Sequence, residues 1–239
     1  MAFDATAVRR DLVAQLRAAA RPSKDPDRAQ SYLGSPVPVL GVPVPKLRAI
    51  VSAFRRAHRD LTEAELIRLA SPLWDASSFE EKALAISLVD AYPKILGDAS
   101  WRLLDRWVDD ASGWGLCDWL GIGPIASIVR ARPERFADLL RWTKAKNVWR
   151  RRIAVYAVHD FVFAGELDEP FQVLERLLYD EEFWVQRAVG TWLRESWKKD
   201  RTRTEAFLRS HVRGLPKVVI TVATERAPKA LRDELRANR

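Results

Sequence analysis

The sequence predicts an all-α protein of helical repeats, an α-α superhelical solenoid with a concave basic surface. Three observations support this prediction: helix signals along the whole chain, an aromatic residue that recurs every 35 positions, and an excess of cationic residues. The 239 residues are 48% hydrophobic, enough for one large domain with a continuous core. We predict a single domain over residues 1–239, with N-terminal helices to about 60, helical pairs to about 200 and C-terminal helices beyond.

Helix signals run from end to end of the chain. Sequences of the form Ser/Thr-x-x-Glu, which cap a helix at its first turn, begin at Thr62, Ser78 and Thr202. Apolar residues then recur with a period near 3.6, and no stretch of alternating polarity is long enough to predict a sheet. These patterns favour helices throughout.

The repeat consists of three apolar columns with a spacing of 35 residues. The columns contain Phe79, Trp114, Trp149 and Trp184; ten positions earlier Leu69, Leu104, Leu139 and Leu174; and thirteen positions earlier Leu66, Trp101, Phe136 and Phe171. A unit of this length accommodates two helices and two tight connections. Such units bury their apolar faces by stacking on one another, so we predict an array of helical pairs.

One column contains a carboxylate. Four residues after each aromatic, the repeats carry Ala83, Asp118, Ile153 and Ala188. On a helix, Asp118 lies one turn after Trp114 on the same face. A charge at a packed position is unfavourable unless it is partnered or functional. Two interpretations are open: a functional acid, or a structural acid paired with Arg152.

The charge balance indicates a polyanionic partner. Lys and Arg number 40 against 32 Asp and Glu, which gives a net charge of +8. Nucleic acid fits such a chain better than a membrane surface, and the alternative is a solvated surface of biased composition. The positions immediately before the acid column include three cations, Lys82, Arg152 and Arg187. They predict a basic stripe that binds phosphates. Arg150 and Arg151 add positive charge beside this stripe.

The sequence disfavours disulfide-linked, metal-binding and membrane-spanning classes of protein. The only cysteine, Cys117, excludes an internal disulfide and a multi-cysteine metal site, and the three histidines have no ligand spacing, so we predict no metal and no cofactor. Cys117 is interpreted as a small buried residue rather than a nucleophile. The N-terminus lacks a signal peptide's apolar run, and no segment of about 18 apolar residues occurs. We expect a soluble, cytoplasmic monomer without membrane association.

Several motifs together resemble the AlkD family of DNA alkylation repair glycosylases, over nearly the whole chain. They are SYLGSPVPVLGVPVPKLR (31–48), LWDASSFEEKALAISLVDAY (73–92), GWGLCD (113–118), NVWRRRIAV (147–155) and FWVQRAVGTWLRES (183–196). The resemblance implies HEAT-like repeats that hold duplex DNA. It also implies that positively charged alkylpurines such as 3-methyladenine and 7-methylguanine are excised without a metal. It implies further that the damaged base stays largely stacked in the duplex during this reaction.

The resemblance also implies roles for single residues. It makes Asp118 the catalytic carboxylate and Trp114 an aromatic wall beside the deoxyribose of the lesion. Arg152 matches an arginine that helps to position the DNA backbone and the site, and Tyr32 matches a tyrosine near the lesion. We further expect DNA contacts from the aromatic and basic columns and from the position after VQRAVG: Lys82, Trp149, Arg150, Arg151, Trp184, Arg187 and Thr191.

The chain departs from the family at two positions. Thr191 stands where the family has a second tryptophan wall, and Trp192 follows it. A shift of one residue rotates a helical side chain by about 100°, so Trp192 is not a simple replacement, although Trp184 can partly fill the gap. Gly115 stands where the family often has an aspartate. Two alternatives to the enzyme therefore stay open: an AlkD-like protein that recognises DNA structure without excision, and a scaffold for an acidic protein partner.

Overall fold

The structure, a computed structural model, describes residues 3–21 and 23–239. Over these ranges the chain forms α-helices, short 3₁₀ turns and one π-helical turn, with no strand, which confirms the all-α prediction. The chain divides into two compact units, Met1–Ile128 and Val129–Arg239. The single domain stays a prediction.

The described residues of the first unit form seven α-helices and the start of an eighth. They are α1 (Ala5–Ala19), α2 (Pro26–Leu33), α3 (Val44–Ala57), α4 (Glu63–Trp74), α5 (Phe79–Asp90), α6 (Asp98–Asp110) and α7 (Trp114–Leu120), followed by a π-helical turn (Gly121–Ile125) and α8 (Ala126–Ala131). In this unit α1 and α6 pack beside α4, while α3 and α7 pack beside α5. The unit thus has two layers of helices.

The second unit repeats this layered packing. Its helices are α9 (Phe136–Trp142), α10 (Val148–Tyr156), α11 (His159–Ala164), α12 (Asp168–Leu177), α13 (Phe183–Lys199), α14 (Arg201–Ser210), α15 (Lys217–Ala223) and α16 (Lys229–Ala237). Here α9 packs on α12, and α13 packs between α10 and α15. Gly190 permits the last contact, because a Cβ there would lie 2.7 Å from Cβ of Val222.

The predicted repeat corresponds to four helical pairs: α4 with α5, α6 with α7, α9 with α10, and α12 with α13. The four leucines of the repeat all lie on the first helix of a pair and are completely buried. The four aromatics all lie at the first or second residue of the second helix, and the three tryptophans among them are half-buried. The leucines therefore form the core between paired helices, while the tryptophans lie partly at the surface.

Two of the three predicted caps are confirmed. Thr62 forms a complete capping box, in which its hydroxyl accepts from the Glu65 N–H (3.3 Å) and the Glu65 carboxylate accepts from the Thr62 N–H (2.9 Å). The backbone hydrogen bond from Thr62 lowers the pKa of Glu65. Ser78 caps α5 by accepting from the Glu81 N–H (3.3 Å).

The third cap, predicted at Thr202, is wrong. Helix α14 already begins at Arg201, and the Asp200 carboxylate accepts from the Arg203 N–H (2.9 Å). Asp is as good an N-cap as Thr and comes two residues earlier, so Thr202 lies inside the first turn. In the part of the chain that the structure describes, no helix is long and apolar enough to cross a bilayer.

Candidate functional site

An aromatic pair lies where α2 meets the start of α7. The Trp114 indole Nε1–H donates to the backbone carbonyl of Tyr32 (2.5 Å). The two rings meet edge to face, with centroids 5.2 Å apart and planes at 87°. Tyr32 remains 69% exposed and Trp114 is half-buried. The fold therefore brings together two predicted site residues that are 82 positions apart in the sequence.

Two glycines make this approach possible. Gly113 has φ +81° and ψ 148°, and a Cβ there would lie 2.5 Å from the Leu33 carbonyl oxygen. A Cβ on Gly115 would lie 3.0 Å from the Leu33 side chain and 3.0 Å from the Phe79 ring. Gly115, which stands where the family often has an aspartate, is thus closely packed against Leu33 and Phe79 in this chain.

Glu80 is a positioning residue that the sequence analysis missed. Its carboxylate is buried, with the residue only 4% exposed, and it accepts from three consecutive backbone N–H groups: Leu40 (2.8 Å), Gly41 (2.7 Å) and Val42 (3.1 Å). These hydrogen bonds satisfy the buried carboxyl oxygens and tie the loop after α2 to the start of α5. The only sequence signal for Glu80 was that SFEE contains two glutamates, whereas the cap at Ser78 uses only Glu81.

Asp118 lies on α7 one turn after Trp114 and is half-buried. Its equivalents in the other repeats, Ala83, Ile153 and Ala188, are completely buried. The column is therefore a packed one, as predicted, and Asp118 is its one member that retains solvent access.

The helix changes form at Gly121, within one turn of Asp118. A π-helical turn follows α7 and contains Pro124, and Gly123 has non-helical angles (φ −95°, ψ −113°). A Cβ on Gly123 would lie 3.2 Å from the Asp90 carboxyl carbon. Turns of this kind are frequent at functional sites, because they change the direction of neighbouring side chains.

In the second unit, Arg152 lies among aromatic rings. It is 4% exposed, and its guanidinium donates to the Trp184 carbonyl (2.5 Å) and to the Tyr156 hydroxyl (3.1 Å). The guanidinium carbon lies 4.8 Å from the centroid of the Tyr156 ring. Trp184 also contacts Trp149, with ring centroids 6.0 Å apart, and both rings are half-buried.

The other predicted cations differ in their partners. Arg151 forms a two-pronged ion pair with Asp180 (2.7 and 3.2 Å) and donates to the carbonyls of Ala145 and Lys146, so it holds the turn before α10. The Arg150 guanidinium lies 5.0 Å from the centroid of the Trp142 ring. Arg187 is exposed and lies over Phe183.

Lys82 is half-buried against α4. Its ammonium donates to the carbonyl of Trp74, the last residue of α4, and lies 4.9 Å from the centroid of the Trp74 ring. Burial lowers the pKa of Lys82, and the nearby carboxylates of Asp75, Asp110 and Glu81 oppose this shift. Of the three cations in the predicted stripe, only Arg187 is therefore exposed.

Thr191 and Trp192, where the sequence departs from the family, differ in burial. Thr191 is half-buried, whereas Trp192 is 3% exposed and packs edge-on against Tyr156 and His159. The Trp192 Nε1–H has no hydrogen-bond partner within residues 3–21 and 23–239. Trp192 is thus a core residue, as the rotation of about 100° per residue requires.

Cys117 is completely buried, which fits a packing role. Among the described residues, no group of three or more His, Cys, Asp or Glu side chains is placed to hold a metal ion. The candidate site residues therefore include aromatic, carboxylate and basic side chains in the first unit, and aromatic and basic side chains in the second. Paired helices that carry such side chains define an all-α helical-repeat protein.

The comparisons assign the family. The model of the DNA alkylation repair enzyme family matches residues 12–227, so the chain belongs to that family. The comparison with curated proteins gives no significant match.

Solved structures share the fold. A predicted DNA alkylation repair enzyme from Enterococcus faecalis has a TM-score of 0.75 at 17% identity, with 88% of this chain and 98% of that chain covered. AlkD2 from Streptococcus mutans has a TM-score of 0.67 at 13% identity, with 93% and 99% covered. The protein smu.31 from Streptococcus mutans has a TM-score of 0.59 at 14% identity, with 76% and 100% covered.

Proposed function

We propose that this protein is a DNA glycosylase that excises positively charged alkylpurines, such as 3-methyladenine and 7-methylguanine, from duplex DNA. The observation that carries the proposal is the Asp118 carboxylate, half-buried one turn from an indole that Tyr32 holds in place. Membership of the DNA alkylation repair enzyme family supports it. The proposal also includes action as a monomer in the cytoplasm.

The chemistry suits these residue types. Alkylation at N3 or N7 places a positive charge on the purine, which makes the base a good leaving group. Its departure leaves an oxocarbenium-like sugar, so the catalyst needs a fixed negative charge and an attacking water more than a general acid. Asp118 supplies the charge and orients or deprotonates the water.

The neighbouring aromatics complete the proposed site. The face of Trp114 is electron-rich and attracts a cationic sugar by about 0.5–2 kcal/mol, depending on desolvation. The hydrogen bond from Trp114 to Tyr32 holds the indole in one orientation, which lowers the entropy lost on binding. The three hydrogen bonds to Glu80 fix the loop that follows Tyr32. The indole is thereby preorganised for the sugar.

Duplex DNA is the proposed partner. The net charge of +8 favours association with phosphates at long range. Arg187 is the member of the basic stripe that is available for a direct phosphate contact, since its side chain is exposed. Arg152 acts instead as a positioning residue for the aromatic group around Trp184.

Incubation of the protein with methylated duplex DNA, followed by chromatography of released bases, tests the proposal. We expect release of 3-methyladenine or 7-methylguanine and no release of uracil or hypoxanthine, because neutral bases need a strong general acid to leave. Efficient uracil release at the same protein concentration would contradict the leaving-group argument. No release of any base would favour the second candidate.

The second candidate is a protein of the same family that recognises DNA structure without excising bases. The observation that favours it is the missing aromatic wall: Thr191 occupies the surface position, and the adjacent Trp192 is buried in the core. Trp184 is half-buried about two turns earlier on the same helix. The candidates differ in whether one indole at Trp114 suffices for catalysis.

Thr191→Trp tests that difference. The position is half-buried rather than enclosed, so the indole has access to solvent, and we expect faster excision if a second wall contacts the sugar. Thr191→Leu is the matched control, because it adds apolar bulk without an electron-rich face. A Thr191→Trp protein that melts normally but excises no faster than Thr191→Leu would show that the second wall is not needed.

A further inference from the structure

A cavity of about 400 Å³ lies at the end of α3, on the first unit, and is lined by Ser52, Arg55, Arg56 and Arg59. Three of its four lining residues are cationic, and none is acidic. None of these residues belongs to the site proposed for excision. Three guanidinium groups therefore lie around one cavity with no acidic residue in its lining.

All three arginines are exposed, and two of them contact other side chains of the protein. The Arg56 guanidinium donates to the Ser52 hydroxyl (2.8 Å), one helical turn earlier. The Arg55 guanidinium lies 5.7 Å from the centroid of the Tyr92 ring, and the Tyr92 hydroxyl donates to the His58 carbonyl (2.9 Å), which anchors that ring. Ordered cations lose less entropy when they bind a ligand.

The three arginines have no carboxylate partner within residues 3–21 and 23–239. Other arginines of the protein are paired, for example Arg130 with Glu166, Arg151 with Asp180 and Arg209 with Glu234. Three unpaired like charges around one cavity repel each other, and a bound anion relieves that repulsion.

A structural role accounts for part of the cluster only. Arg55 and Arg56 lie in the last turn of α3, where cations interact favourably with the helix dipole. Arg59 lies beyond the end of the helix. The acids nearest in sequence are Asp60, Glu63 and Glu65. Asp60 and Glu65 line a neighbouring cavity that Arg59 also reaches. Glu63 accepts from the Gly97 and Ser100 N–H groups, and Glu65 accepts from Thr62.

We propose that this cavity binds a phosphate group through Arg55, Arg56 and Arg59. Guanidinium groups present planar pairs of N–H donors that match phosphate oxygens, and the Ser52 hydroxyl adds a further polar group at the wall. The phosphate is either a free anion or a phosphodiester of nucleic acid, which share this chemistry. The site is independent of excision, because no residue of it takes part in the proposed reaction.

The first arm of the test measures thermal melting in increasing inorganic phosphate at constant ionic strength. A ligand that binds the folded state raises Tm in proportion to the logarithm of its concentration above Kd. We expect this rise in the wild-type protein and its loss in Arg55→Gln/Arg56→Gln. Arg59→Gln alone is expected to weaken phosphate binding by about 10- to 100-fold, as loss of a charge-assisted hydrogen bond does.

The second arm measures binding of undamaged duplex DNA over a range of salt concentrations. Removal of one cation that neutralises a DNA phosphate flattens the log–log salt dependence by about 0.9. The matched control is Arg226→Gln/Arg236→Gln, which removes the same charge from two exposed positions outside the cavity. Excision is measured in neither arm, so failure of the proposed glycosylase activity does not affect the result.

The outcomes separate the two sources. A phosphate-dependent Tm that only the cavity variant loses, together with a salt slope equal to that of the control, assigns a free phosphate anion to the site. A salt slope that flattens in the cavity variant beyond the control assigns a phosphodiester. If the cavity variant equals the control in both arms, the proposal is overturned and the arginines stabilise the end of α3 alone.

Discussion

Asp118→Asn is expected to lower the rate of 7-methylguanine release by about 100- to 1,000-fold, the usual effect of removing a preorganised electrostatic partner. The substitution keeps the size and shape of the side chain and removes the charge that faces the developing sugar cation. Single-turnover release from methylated duplex DNA measures this step without a contribution from product dissociation.

Stability should change little in the same variant. Asp118 retains solvent access, unlike the buried Ala83, Ile153 and Ala188 at equivalent positions, so the amide adds no enclosed polar group. Affinity for undamaged duplex should hold or rise slightly, because a negative charge is removed from a protein that binds phosphates.

The structural interpretation of Asp118 predicts the opposite pattern. If the carboxylate serves only as an ion-pair partner for Arg152, Asp118→Asn lowers Tm and leaves turnover unchanged. Tm and the single-turnover rate are therefore measured on one preparation. An early-melting Asp118→Asn protein that excises at the wild-type rate would remove this residue from the active site.

Gly113→Ala should damage stability and excision together. The backbone of Gly113 (φ +81°, ψ 148°) lies in a region almost confined to glycine, and forcing alanine into it costs about 1–3 kcal/mol. The new Cβ would also lie 2.5 Å from the Leu33 carbonyl oxygen, which adds about 1–3 kcal/mol of overpacking or displaces α2. For a chain of this size, each kcal/mol lowers Tm by about 2–4 °C.

The loss of excision should exceed what the loss of stability explains. Displacement of α2 separates Tyr32 from Trp114 and removes the hydrogen bond that orients the indole. Near-ultraviolet circular dichroism, which reports on the packing of aromatic rings, should change in parallel. Excision is measured well below Tm, so that the unfolded fraction is negligible.

Gly165→Ala is the matched control. Gly165 also has φ +81°, but apart from its chain neighbours no atom of the described residues lies within 4 Å of the Cβ position. This variant should therefore show backbone strain of about 1–2 kcal/mol and normal excision. Equal behaviour of the two alanine variants would contradict a positioning role for Gly113.

The sequence by itself determined the all-α class and the 35-residue spacing of the repeat. Leucines spaced by 35 residues identified the four helical pairs, because burial between paired helices requires an apolar side chain at each equivalent position. The cap at Thr62 was also predictable, since both of its hydrogen bonds join residues three apart. The wrong cap at Thr202 shows the limit: Asp200 competes for the same helix end, and a motif does not decide between two good caps.

The tertiary structure alone decided which of the predicted site residues are accessible. Lys82 and Arg152 belong to the same column of cations as Arg187, yet both donate to backbone carbonyls of other helices, Trp74 and Trp184. The Trp74 carbonyl, at the end of its helix, lacks an intrahelical partner, so a nearby cation binds it in preference to facing solvent.

The packing of the loops could not be predicted from the sequence either. The three backbone N–H groups that surround Glu80 are 38 to 40 residues away in the sequence, and the contact of Gly113 with Leu33 spans a still longer separation. Local patterns report periodicity and capping, which act over one or two helical turns. The orientation of Trp114 depends instead on contacts between distant segments, and those form only when the helices pack.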